Sequence, residues 1–140
     1  MSTSVKTMLK QILMQLISAV WFAFFGAVYE HFSHEVYSYY MIYAFVIPLV
    51  MGTLPYIIMA LKQYEPNRVF LHLWNSAIIT FTIGSIFKGV LDIYGTTNSL
   101  LAVYPIVGLI LMIPALLTLK FKKSVTISTL NQHIEKKSQT

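Results

Sequence analysis

Two groups of side chains in this sequence are of types that bind metals or move protons. In the first, His31 and His34 are three residues apart and Glu35 follows directly. On a helical turn the two imidazoles would share a face, and Asp92 is the one obvious further ligand. Imidazole with carboxylate suits Zn²⁺, Cu²⁺ or Ni²⁺, although H-x-x-H-E is not the zincin order H-E-x-x-H. A divalent-metal site is one hypothesis. The other is that these are ordinary polar residues at the membrane interface, with pH sensing by the two histidines as a variant.

The second group is spread along one apolar segment. Polar and small residues recur there at every fourth position from Ser76 to Asp92, a spacing that places neighbours on one side of a helix. Because the other segments have no such face, we expect this helix to be the most buried one. The residues that we assign to its polar face are His72, Asn75, Ser76, Thr80, Thr82, Ser85, Lys88 and Asp92.

A helix face of this kind has two interpretations. Small residues let helix backbones approach closely, and hydroxyls bond across helices at about 1 kcal/mol or less. Alternatively, the face lines a polar pathway for a solute. At the far end of this face, Lys88 and Asp92 lie at i and i+4 and so on the same side of the helix. An ion pair at the membrane surface explains both residues, because the long Lys side chain can reach outward.

The elements that carry these residues are strongly apolar. The chain has 140 residues, of which 56% are hydrophobic and 11% charged, less than half of the roughly 25% charged residues of soluble domains. Four segments reach the ~20 apolar residues that cross a bilayer, at about 8–28, 39–61, 69–91 and 100–119. We therefore predict an all-α integral membrane protein, with residues 1–120 forming an antiparallel bundle of four transmembrane helices.

Two patterns refine this prediction. Residues 25–30 align with residues 87–92 after a shift of 62 positions. Either the bundle consists of two tandem helical hairpins, or the similarity is due to chance. The second and fourth segments also contain residues that predict kinks or broken helices, namely Pro48, Gly52 and Pro55 in one and Pro105, Gly108 and Pro114 in the other.

The basic residues predict an orientation. Nine of the ten lie on one side of the predicted bundle: Lys6, Lys10, Lys62, Arg68, Lys120, Lys122, Lys123, Lys136 and Lys137. By the positive-inside rule both termini are cytoplasmic, in a cell membrane, and the basic ends face anionic lipids. Residues 121–140 form a basic cytoplasmic tail, either an interfacial helix or an irregular segment. This topology explains the net charge of +5 without nucleic-acid binding.

The motifs argue against catalysis more than for it. The chain has no cysteine, and it contains neither a phosphate-binding glycine loop nor a nucleophile elbow. No cofactor is predicted apart from the divalent metal considered above. We expect an accessory or self-assembling multi-pass membrane protein that acts through helix packing, as a homo-oligomer or with a membrane-protein partner. The alternatives are a small transporter or channel subunit, and an outer-face metal or pH sensor.

Overall fold

The fold is built on three long helices. The structure, a computed structural model, describes residues 3–32, 38–62 and 64–138. The long helices are α1 (Thr3–Phe32), α4 (Arg68–Ile93) and α5 (Val103–Ser138). Two short helices, α2 (Tyr39–Ile42) and α3 (Leu54–Leu61), flank a π-helix at Pro48–Thr53, and a 3₁₀ turn at Ser99–Ala102 precedes α5.

The all-helical prediction is confirmed for this part of the chain. Within the described residues, three stretches are long and apolar enough to cross a membrane: Val5–Phe32, Arg68–Ile93 and Ser99–Leu119. They contain the predicted segments 8–28, 69–91 and 100–119. The second predicted segment, 39–61, for which the prolines predicted a kinked or broken helix, is divided into α2, a turn, the π-helix and α3, and it is not among these three stretches.

Proline accounts for part of this division. Pro48 and Pro55 lack the backbone N–H that an α-helix donates to the carbonyl four residues earlier. For Pro55 that carbonyl belongs to Met51, and the Trp74 indole Nε1 of α4 donates to it across 2.9 Å. The break in the second segment is therefore compensated by a bond from a neighbouring helix, as polar backbone in an apolar setting requires.

The helices pack in a sequence of layers. α1 lies against the broken segment formed by α2, the π-helix and α3, this segment lies against α4, and α5 covers the other side of α4. The basic end of the molecule is where α1 begins, α3 ends and α4 begins, with Lys6, Lys10, Lys62 and Arg68. The acidic end is where α1 and α4 finish, with Glu30 and Asp92.

The central position of α4 agrees with the expectation that it is the most buried helix. A hydrophobic core near the basic end joins it to α1, α3 and α5, through Met8, Tyr56, Phe70, Leu71, Trp74, Ile78 and Ala115. Along the rest of α4, glycines allow neighbours to approach. A Cβ on Gly84 would lie 2.5 Å from Tyr104 Cβ of α5, and one on Gly89 would lie 2.9 Å from the Met41 backbone nitrogen of α2. Both glycines of α4 thus pack within this chain.

The C-terminal tail continues the last helix. From the sequence, we expected residues 121–140 to form either an interfacial helix or an irregular segment. In the structure, the backbone of α5 is helical as far as Ser138. The described side chains from Leu130 to Ser138 are all exposed. The tail therefore extends beyond the packed helices.

Candidate functional site

A cluster of neutral polar side chains connects three elements in the basic half of the molecule. We call Gln11, Gln15, Tyr56 and Asn75 the polar cluster. The Asn75 Oδ1 accepts hydrogen bonds from Gln15 Nε2 at 2.8 Å and from the Tyr56 hydroxyl at 2.7 Å. Its Nδ2 donates to Gln11 Oε1 at 2.9 Å. One asparagine on α4 thereby bonds to α1 twice and to α3 once.

Local structure brings these groups together. Gln11 and Gln15 are one turn apart on α1, so both reach the same neighbour. The Gln15 side chain passes directly over the π-helix at Gly52, where an added Cβ would lie 2.7 Å from it. Gln15 is 6% exposed and Tyr56 is fully buried. Each of the three hydrogen bonds pairs a neutral donor with a neutral acceptor. The polar cluster therefore joins α4 to α1 and α3.

The second polar region lies at the acidic end and is charged. Lys88 Nζ lies 3.0 Å from Asp92 Oδ1, as the i, i+4 spacing predicts. The Ser38 hydroxyl makes a longer contact of 3.4 Å with the other carboxylate oxygen. Lys88 Nζ also lies 5.2 Å from the centroid of the Tyr40 ring, within the range of a cation–π interaction. Asp92 and Tyr40 thus hold the ammonium group from two sides.

Beside this ion pair is a cavity of about 570 Å³, within the 300–1,000 Å³ of ordinary ligand sites. We call it the Lys88 pocket. One wall is apolar and is formed by Ile47, Phe81, Leu91, Leu101 and Pro105. The rim is polar and includes Lys88, Ser85 and residues 96–99. A largely apolar lining that also contains a cation and hydroxyls fits an amphipathic molecule.

Three local features position the rim. The Ser85 hydroxyl donates to the Tyr40 carbonyl oxygen at 2.7 Å and so ties α2 to α4. Gly95 has φ of +66°, a left-handed conformation that suits glycine, where the chain reverses after α4. Asn98 Oδ1 then accepts from the backbone N–H of Leu100 at 2.9 Å and starts the 3₁₀ turn.

The residues that we assigned to one polar face of α4 lie on different sides of the helix. His72 and Ser76 are exposed, Asn75 belongs to the polar cluster, and Ser85, Lys88 and Asp92 meet at the acidic end. The reason is geometric: an α-helix turns every 3.6 residues, so a spacing of four drifts by about 40° at each step.

The remaining hydroxyls of this set bond within α4 itself. Thr80 donates to the Ser76 carbonyl oxygen at 2.7 Å, and the buried Thr82 donates to that of Ile78 at 2.8 Å. Bonds to the preceding turn satisfy a hydroxyl without any partner helix. These two threonines therefore need no ligand to explain their presence.

Sequence reasoning missed most of the polar cluster. Asn75 was among the predicted residues, whereas Gln11, Gln15 and Tyr56 were not. A signal was present, since two amides one turn apart in an apolar helix are costly unless both find partners. The pocket rim at residues 96–99 was also missed, because it lies between the third and fourth predicted segments and was assigned to no site.

The proposed metal ligands are only partly described. His34 and Glu35 lie outside the described residues, and His31 is exposed on the last turn of α1. The Asp92 carboxylate contacts Lys88 and Ser38. In the described part of the chain, no group of three or more His, Asp or Glu residues could hold a metal ion. Metal binding at the 31–35 stretch stays a prediction.

No known protein family, curated protein or solved structure matches this chain.

Proposed function

We propose that this chain is a multi-pass membrane protein. The observation that carries the proposal is the distribution of its side chains. Large apolar residues point outward along the long helices, with Ile17 58%, Val20 70% and Trp21 65% exposed on α1. Polar groups such as those of Asn75 and Gln15 bond to each other inside. This arrangement suits hydrocarbon, where exposed apolar groups cost nothing and polar groups must find partners.

The basic residues support an orientation with both termini in the cytoplasm of a cell membrane. Lys6, Lys10, Lys62 and Arg68 share the basic end, where cytoplasmic anionic lipids would meet them. Reporter fusions after Leu61 and after Ser138 test this topology. Both fusion points are expected in the cytoplasm, so a reporter that is active only in the cytoplasm should be active at each of them. Activity of either fusion on the opposite side would overturn it.

Within that membrane we propose an accessory role that acts through helix packing with a second copy or another membrane protein. The glycines of α4 already pack against α5 and α2 of the same chain, so we place the association surface on α1 instead. This helix lies at the edge of the layers, and its outer face presents Leu13, Ile17, Trp21 and Phe24. Flat aromatic and aliphatic surfaces of this kind suit contact with another apolar helix.

Crosslinking in membranes and mass measurement in mild detergent test this role. The double variant Trp21→Ala and Phe24→Ala should lose the associated species, because both rings lie on the outer face of α1. The matched control is Ile110→Ala with Ile113→Ala on the equally exposed face of α5. An unchanged monomer before and after the change, with no partner retained, contradicts the proposal.

Transport is the second candidate. The broken second segment supports it, because π-helices are frequent at functional sites. A flux assay in proteoliposomes, over inorganic ions and small organic cations, provides the test. Flux that persists in full after both His72→Ala and Lys88→Ala, or no flux at all, counts against a pathway along α4.

A further inference from the structure

We propose that the Lys88 pocket binds a phospholipid of the surrounding bilayer. Its phosphate lies at Lys88 Nζ and one acyl chain lies along the apolar wall. The inference rests on the proposed membrane insertion and goes beyond the accessory role, since neither a second copy nor a partner is required.

The shape and composition of the cavity support this occupant. Its volume of about 570 Å³ is enough for part of a lipid, and its wall of Ile47, Phe81 and Leu91 offers no partner to a polar solute. Its polar groups belong to residues 40, 85, 88, 96–99 and 104, and the rest of the lining is largely apolar. A ligand with one polar end and a long apolar body matches this division.

The positive charge in the lining of the cavity indicates which head group the ligand carries. Lys88 is the charged group among the described lining residues, and an ammonium binds phosphate as a point charge. One of its three N–H groups is directed to Asp92, and the side chain is 38% exposed, so donors remain for a ligand. Tyr40 faces the ammonium from α2 and Asp92 faces it from α4, and the two together hold it in position.

The rim favours a phospholipid over a free fatty acid. Thr96, Thr97 and Ser99 contribute hydroxyl-bearing side chains to the lining of the same cavity. A phospholipid head carries phosphate and ester oxygens that several donors can reach, whereas a fatty acid has a single carboxylate. The depth also agrees, since Lys88 is one turn from the acidic end of α4, where lipid headgroups meet the ends of membrane helices.

Lipid binding to the purified full-length chain tests the proposal. The protein is stripped of lipid in a maltoside detergent, and phosphatidylglycerol is added back while native mass spectrometry counts bound molecules. Lys88→Gln should weaken binding roughly tenfold, the loss expected for one charge-assisted hydrogen bond. Lys62→Gln, which removes an exposed charge at the other end, should leave the affinity unchanged.

A second pair of variants tests the cavity itself. Ala102→Trp places a bulky ring in the pocket from the 3₁₀ turn and should abolish binding. Val103→Trp, at the neighbouring exposed residue outside the lining, is the matched control. Circular dichroism verifies that each variant is folded. If Ala102→Trp does not fold, the comparison of Lys88→Gln with Lys62→Gln decides the matter alone.

The competing outcomes are distinct. Equal binding by Lys88→Gln and the parent chain overturns the site, as does the absence of bound lipid. Palmitate that displaces the phospholipid with equal or greater affinity overturns the phosphate assignment. Phosphatidylcholine that binds with Lys88-dependent affinity supports it, because this lipid shares the phosphate. The topology fusions are independent, so the membrane proposal can stand when lipid binding fails.

Discussion

The polar cluster and the Lys88 pocket both contain polar side chains in an apolar molecule, but they differ in charge and in exposure. In the polar cluster, Asn75 bonds to three partners on α1 and α3, and the groups are neutral and largely buried. At the Lys88 pocket, the ion pair is partly exposed and opens on a cavity with an apolar wall. A closed set of hydrogen bonds holds helices together, whereas a partly exposed ammonium beside a cavity can recognise a ligand.

The largest expected effect is the loss of the polar cluster. Asn75→Leu removes three hydrogen bonds and leaves Gln11, Gln15 and Tyr56 to find other partners. With bonds between membrane helices worth roughly 0.6–1.7 kcal/mol each, we expect a destabilisation of about 2 kcal/mol or more.

Unfolding in mixed micelles with increasing sodium dodecyl sulfate measures this change. Ser76→Ala, at the adjacent exposed position on α4, is the control and should be close to neutral. Equal stability of the two variants would show that the polar cluster does not hold α1 to α4.

A smaller loss is expected from crowding at the acidic end. Gly89→Ala adds a Cβ that would lie 2.7 Å from Met41 Cβ, so α2 must shift. Overpacking of this kind costs about 1–3 kcal/mol. The same micelle titration measures it, and lipid binding should weaken as well, because α2 carries Tyr40. Full binding together with reduced stability would separate α2 from the Lys88 pocket.

Removing the tie between α2 and α4 should have a still smaller effect. Ser85→Ala deletes the hydrogen bond to the Tyr40 carbonyl, which is worth about 1 kcal/mol. Hydrogen exchange of the α2 amides should increase while exchange near Asn75 is unchanged. Faster exchange in both regions would mean that the two polar regions are coupled.

The smallest effect on stability is expected at the ion pair. Both side chains are about a third exposed, so Lys88→Gln should lower stability by only about 0.5 kcal/mol. Its consequence is expected in lipid binding instead. If Lys88→Gln lowers stability as much as Asn75→Leu does, the ion pair holds the fold together as the polar cluster does. The two regions would then not differ in this respect.

Much of the fold could be predicted because hydrophobicity is a local property. Three of the four predicted segments coincide with long apolar helices, and the Lys88–Asp92 pair follows from the i, i+4 spacing. Prolines signalled that the second segment is irregular. They did not show that it becomes two short helices and a π-helix, because this depends on partners such as the Trp74 indole.

The site was predicted less well. A four-residue spacing was taken as one helix face, although over the 20 residues from His72 to Asp92 the drift reaches about 200°. The two ends of the proposed face therefore point in nearly opposite directions. This error could have been avoided from the sequence alone, by applying the 3.6-residue period strictly.

The sequence by itself determined the apolar segments, their order and the charge difference between the two ends, since these depend on neighbouring residues. Only the tertiary structure decided that Asn75 meets Gln15, 60 positions away, and that Tyr40 meets Lys88 beside a cavity. Such contacts depend on helix rotation and on close approach at glycines such as Gly84 and Gly89. Hydropathy carries no information on rotation, because every side of an apolar helix is apolar.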